Sequence, residues 1–252
     1  MRITVEVLLS LFLIGGSLGY FLYRKREGSN KEEIIEGKTS EKITAKEKPS
    51  EEIISEGKTE KLRARDLIKD NKKLILYHMV MFLLLIGLIV LFHTVYKERT
   101  MVSGIKLMML VAGLGMLAWT DFHEYRIPNN ILLVLLGIRM VLYVWEFIVY
   151  GQDFFQIAKD GITALVLIGL FLLAVHFTFR NSIGMGDIKL LMIMALYQGF
   201  AGVFSSVFFS LLVTCFLSIG LLIGKKIGRK DSVPFAPSVL IGTYLSIILT
   251  GI

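Results

Sequence analysis

The chain has 252 residues, with 28 Lys and Arg against 21 Asp and Glu for a net charge of +7, and it is 54% hydrophobic with a mean hydropathy of +0.67. Its charges are bunched while apolar runs of about 20 residues recur almost end to end, which argues against a water-soluble domain and suits a hydrocarbon layer about 30 Å thick. The single cysteine, Cys215, excludes an intrachain disulfide and a cysteine-based zinc site and reads as a buried packing residue. The basic residues flank apolar segments, where they orient the chain and attract anionic headgroups, so the positive charge does not call for nucleic acid.

In chain order, apolar runs predict eight membrane segments, at about 4–23, 75–96, 102–120, 130–150, 157–179, 188–199, 201–224 and 235–251. The expected fold class is therefore all-α, a polytopic membrane helix bundle. No small-residue cleavage pattern follows the first segment, and Arg24-Lys25-Arg26 comes directly after it, so 1–23 reads as a retained anchor. Placing those three cations in the cytoplasm puts the loops at 121–129, 180–187 and 225–230 on the same side. The loops near 151–156 and 199–201 then lie outside and carry no Lys or Arg, whereas Lys97, Arg99 and Lys106 run against the pattern. The sixth segment is short, with Gly199 and Gly202 where it should turn, which suggests tilt or a kink.

Residues 24–74 are rich in Lys and Glu and hold too little apolar surface to offset the entropy of ordering. They also contain a near-repeat, Glu32-Glu33-Ile34-Ile35 returning as Glu51-Glu52-Ile53-Ile54. A flexible or partly helical cytoplasmic tether is the plain reading and a docking arm the sharper one. Residues 75–252 form the membrane-embedded core.

Charge at the edge of lipid is costly, so an aspartate that ends an apolar run requires an explanation. Asp121 closes the third segment, in Trp119-Thr120-Asp121 followed by Arg126-Ile127-Pro128-Asn129, and Asp187 opens the sixth, in Gly184-Met185-Gly186-Asp187. Both fall on the cytoplasmic side. If packing brings them together, two carboxyl groups in a poorly hydrated site hold one proton between them, and the charged member activates water while the protonated member polarises a peptide carbonyl. That is aspartyl protease chemistry and needs no metal. Gly184 and Gly186 leave room for an extended substrate backbone. For Asp187 a helix cap explains the same letters. For Asp121, which faces the wrong end of its own helix dipole, a salt bridge to Arg126 is the structural alternative. Pro128 and Asn129 suit the entry of the next helix.

These residues resemble the type IV prepilin peptidases, membrane aspartyl proteases that include the archaeal preflagellin peptidases. The likeness rests on Asp121 with Arg126-Ile127-Pro128-Asn129, on Gly184-Met185-Gly186-Asp187 with Lys189, and more weakly on Pro234-Phe235-Ala236-Pro237, where the family usually has glycine at Ala236. It extends from about residue 75 to the end. The resemblance implies that Asp121 and Asp187 are catalytic and that the enzyme is an aspartic endopeptidase of the cytoplasmic (inner) membrane, its active site facing the cytoplasm. Its partners would be prepilin or pseudopilin precursors, cut after a glycine between a short basic leader and an apolar helix. Lys189 would lie near the pair. No cofactor is required for proteolysis. Many relatives also methylate the new N-terminus with S-adenosylmethionine and carry a cysteine-rich cytoplasmic domain, but residues 24–74 have no cysteine, which argues against methylation.

Two other readings compete. Paired membrane aspartates also serve ion-coupled transporters, and a non-catalytic pilus or secretion assembly subunit would keep the fold. His78, His93 and His176 sit alone in apolar runs and read as interhelical hydrogen-bonders or interfacial residues. His123 and Glu124 lack the spacing of a zinc site on a helix face. Trp119 and Trp145 read as interface markers.

Overall fold

The computed structural model describes residues 51–96, 100–179, 183–224 and 233–251, with side chains described from Lys72 onward. The expected first segment at 4–23, most of the polar stretch before Glu51 and the basic loop at 225–230 lie outside the described residues. All the regular structure among them is helical: α1 (Glu51–Thr94), α2 (Met101–Glu124), α3 (Asn129–Tyr150), a 3-10 turn at Gly151–Asp153, α4 (Phe154–Thr178), α5 (Met185–Ile223) and α6 (Ala236–Thr250). The described residues divide into two compact units, 51–84 and 85–251.

Four stretches, Lys72–Thr94, Met101–Glu124, Asn129–Thr178 and Met185–Ile223, are long and apolar enough to cross a membrane, and Ala236–Thr250 is a shorter apolar helix. Large apolar side chains stand exposed on them, among them Ile148, Phe177 and Phe216. Such a surface is tolerable against lipid and not against water. The chain is thus a multi-pass membrane protein of helical architecture. The four stretches cover six of the seven segments expected after residue 75, because two of them each contain two helices, and the short helix Ala236–Thr250 occupies the place of the seventh.

Both breaks are made by glycine. Gly151 (φ 56, ψ −114) ends α3, and the 3-10 turn leads the chain back so that Tyr143 and Phe147 of α3 meet Phe154 at the start of α4, with ring centroids 6.0 and 5.4 Å apart. Within α5 the backbone leaves helical geometry at Gly199 (φ 70, ψ −174), a region essentially closed to residues with a Cβ. Before that break, Met192 and Leu196 lie against Gly169 and Gly161 of α4. After it, Ser205 and Ser210 lie against Ser246 and Gly242 of α6. The part before Gly199 begins with Lys189 beside Asn129, at the end of the bundle where α6 begins beside Asp121. The part after it advances from Ser246 toward Gly242 and that same end, so the two run antiparallel, the turn expected of the short sixth segment.

The core sits around α2, whose Leu107, Leu110, Val111, Leu114 and Leu117 are buried with Tyr197, Val239 and Ile247. Small residues let α5 and α6 approach closely, and the Ser205 and Ser246 hydroxyls share a hydrogen bond of 2.6 Å. Cys215 is exposed, contrary to the expectation of burial. It stands on an apolar helix whose packed face is given to serines, so a small thiol suits its outer side. His78 and His93 bond carbonyls one turn back in their own helix, those of Leu74 and Ile89, while His176 bonds the Ile183 carbonyl across the α4–α5 turn.

Candidate active site

Asp121 stands three residues before the end of α2, which runs on to Glu124 instead of ending at the aspartate. The helix stops because Tyr125 adopts the left-handed conformation (φ 51, ψ 36) while its N–H donates to the Asp121 carbonyl at 2.9 Å. It is the one residue other than glycine with positive φ among the described residues. For an L-residue that costs roughly 1–2 kcal/mol, and the loop that follows must leave the helix anyway, because Pro128 keeps Ile127 out of helical geometry. Pro128 then takes the cap position of α3, which opens at Asn129, the structural role anticipated for both.

The Asp121 side chain is 6% exposed, and its Oδ2 accepts the Ala236 N–H at 2.9 Å, with the Phe235 N–H also directed at it. Ala236 is the first residue of α6, whose leading N–H groups have no acceptor inside the helix and whose cap residue Phe235 offers no side-chain bond. Asp121 thus opposes the dipole of its own helix but satisfies that of another. Among the described residues no ion pair joins Asp121 to Arg126, which is exposed, so the salt-bridge alternative is not realised.

Asp187 is the third residue of α5. The cap position belongs to Gly184, which makes no side-chain capping bond, so Asp187 is not the cap that its sequence position allows. Asp187 is half-buried, and its segment packs on the loop that follows Asp121, with Gly186 against Ile127 and Lys189 bonded to Asn129. The two carboxyl groups therefore share one end of the bundle.

The glycines of the second motif are used internally. A Cβ at Gly184 would lie 2.9 Å from the Asp187 Oδ2, and one at Gly186 would lie 3.0 Å from the Ile127 Cβ. Gly184 therefore clears space for the aspartate itself, and Gly186 lets the two motif segments touch. Lys189 is exposed and donates from Nζ to Asn129 Oδ1 at 3.1 Å, a second tie between the motifs. All three motif segments thus converge, through Asp121 with Ala236, Gly186 with Ile127, and Lys189 with Asn129.

His123 bonds the Trp119 carbonyl through Nδ1 and stacks on the Trp119 ring with centroids 4.2 Å apart. Three residues escaped the sequence reading: Tyr125, Arg139 and Glu146. Nothing in its letters marks Tyr125 for the left-handed region. Arg139 and Glu146 carried a usable signal, since each is a charge inside an apolar run.

Residues 108–223 match the model of the type IV leader peptidase family, which supports the resemblance read from the motifs. The matched segment includes Asp121 and Asp187 and stops short of Pro234–Pro237. No curated protein and no solved structure matches the chain.

Proposed function

Taking the leader peptidase match over 108–223 as its premise, we propose that the chain is a membrane aspartic endopeptidase in which Asp121 and Asp187 cleave a peptide bond of a pilin-like or pseudopilin precursor. The observation that carries this reading is the convergence of the segments bearing Asp121 and Asp187 at one end of the bundle, where the Ala236 N–H donates to Asp121 and Gly186 packs on Ile127. Two acids that act on each other in a half-dry pocket share a proton, as the reaction requires.

The surroundings divide the labour. Hydrogen bonds from N–H groups favour a carboxylate over a carboxylic acid, so Asp121, facing Ala236 and Phe235, is the member suited to stay charged and to take a proton from the attacking water. No hydrogen-bond donor faces the Asp187 carboxyl among the described residues, which suits it to hold the shared proton and pass it to the peptide carbonyl. When the tetrahedral intermediate collapses, the C–N bond breaks, the leaving amine takes up the proton that Asp121 collected, and one hydroxyl of the intermediate returns its proton to Asp187 as the carboxyl product forms. Leader removal after a glycine, at the cytoplasmic face of the inner membrane, is the specific reaction expected. Methylation of the product with S-adenosylmethionine is not part of the proposal.

The test is incubation of the detergent-purified protein with a pilin-like precursor carrying a basic leader and an apolar helix, beside Asp121→Asn and Asp187→Asn. Asparagine keeps the size of the side chain but cannot ionise. Leader removal by the parent and by neither variant is expected. Cleavage at the parental rate by a folded variant refutes the assignment.

A further inference from the structure

Within the apolar bundle lies a charge cluster that the proteolytic reaction does not use. Arg139 and Glu146, seven positions apart and so on one face of α3, are 1% and 2% exposed. Arg139 Nη2 lies 2.9 Å from Glu146 Oε2, an ion pair without hydrogen-bond angles, and Lys106 of α2 approaches Glu146 Oε1 at 3.7 Å. This pairing accounts for Lys106, which ran against the charge pattern of the loops.

The other side of the guanidinium does something different. Arg139 Nε–H donates to the Leu196 carbonyl at 2.8 Å, with the Tyr143 ring 3.7 Å and the Tyr197 ring 5.6 Å from its central carbon. Leu196 is three residues before the break at Gly199, in the last turn of the helical arm that begins with Met185 and carries Asp187. Carbonyls in a last turn have no donor within their helix, so Arg139 fills a vacancy that the break creates, with the Tyr143 hydroxyl at 3.5 Å a second and longer donor to the same oxygen. One turn of contact is reinforced by Tyr197, whose hydroxyl donates to the Leu135 carbonyl of α3 at 2.7 Å.

The arm is thereby fastened to α3 at two levels. Lys189 and Asn129 join it beside Asp187, and Arg139 with Tyr197 joins it about 10 Å further along by helical rise. A single tie near the aspartate leaves an arm free to slide or turn, whereas two ties fix its depth and rotation. Stability alone does not account for the charges, because buried ion pairs are commonly replaced by apolar residues at no loss.

We propose that Arg139 is a positioning residue for Asp187, acting through its Nε–H bond to the Leu196 carbonyl to hold the aspartate's helical arm in register with Asp121. The proposal rests on the peptidase reading for its kinetic consequence and on geometry alone for its structural one.

Two double variants separate the hydrogen bond from the charge. In Arg139→Gln with Glu146→Leu, the amide nitrogen of glutamine occupies the ε position of the arginine and still donates to Leu196. In Arg139→Met with Glu146→Leu, the chain has the same length and no donor. Both remove the ion pair together, so neither leaves an uncompensated partner in it, and Lys106, 16% exposed, can turn its amine outward. With equal yield and equal Tm in detergent, the methionine variant should lose about 10–100-fold in kcat at nearly unchanged KM, the penalty of an ångström-scale misplacement, while the glutamine variant stays near the parent. A second readout needs no activity. In a Cys215→Ser background, Ile127→Cys with Gly186→Cys should form a disulfide once the two Cβ positions, 3.0 Å apart, part by about 0.5 Å to the spacing a disulfide takes, and its yield should fall several-fold in the methionine variant only. Equal kcat and equal cross-linking in the methionine and glutamine variants overturn the proposal. A parent that cleaves no precursor while the cross-linking still separates them removes the peptidase reading and leaves the positioning role standing.

Discussion

Gly242→Ala puts a methyl group where α6 meets the second half of α5. Its Cβ would stand 2.6 Å from the Ser210 Cα, roughly 0.8 Å inside the 3.4 Å at which ordinary contact begins. Backbone cannot swing aside as a side chain does, and Ser210 is fully buried with its hydroxyl bonded to the Ser206 carbonyl. Overpacking of this kind costs about 1–3 kcal/mol, so α6 is expected to move outward instead of compressing. Ala236 opens that helix six residues earlier, about 9 Å away by helical rise. A displacement carried that far stretches the Ala236–Asp121 bond from 2.9 Å to roughly 3.7 Å, beyond hydrogen-bond range. The consequence is a loss of about 10–100-fold in kcat for leader removal, together with a lower Tm. Gly220→Ala serves as the control, since nothing lies within 4 Å of its Cβ position and alanine should be neutral or slightly stabilising there. Parental kcat in a purified Gly242→Ala protein, whatever its Tm, refutes the idea that α6 packing sets the geometry at Asp121.

The remaining expectations concern backbone groups. Ala236→Pro deletes the N–H that faces Asp121 at a helix position where proline is otherwise tolerated, and it should depress cleavage by about tenfold or more, whereas Ala236→Gly, which keeps the donor, should cleave like the parent; equal rates for the two would show that the bond is dispensable. Gly199→Ala forces a Cβ into a region open essentially to glycine and within 3.0 Å of the Asp160 carboxyl carbon, so a destabilisation of about 1–3 kcal/mol is expected in detergent unfolding, and an unchanged midpoint would count against the reversal at that residue.

Much of the protein was legible before any coordinates. Apolar run lengths placed the helices, because lipid leaves backbone groups no partner except the helix itself. Gly199 was marked as a turn by its position in a run too short to cross. Asp121 and Asp187 stood out because a carboxylate beside hydrocarbon is expensive, and Pro128 with Asn129 announced the entry of α3.

What the letters could not supply was which helix answers which. That Asp121 is received by the opening turn of α6, 115 positions later, follows from packing among α2, α5 and α6 and not from local pattern. The same holds for Gly184 and Gly186, whose local role in sequence was space for a substrate and whose neighbours in the fold are Asp187 and Ile127. Arg139 reaches Leu196 only because the chain reverses twice between them, at Gly151 and after α4. Sequence determines the hydrophobic lengths and the cost of each stray charge, since both are properties of a residue and its near neighbours. Tertiary structure decides where the stray charges find partners, since that depends on contacts between segments that share no sequence signal.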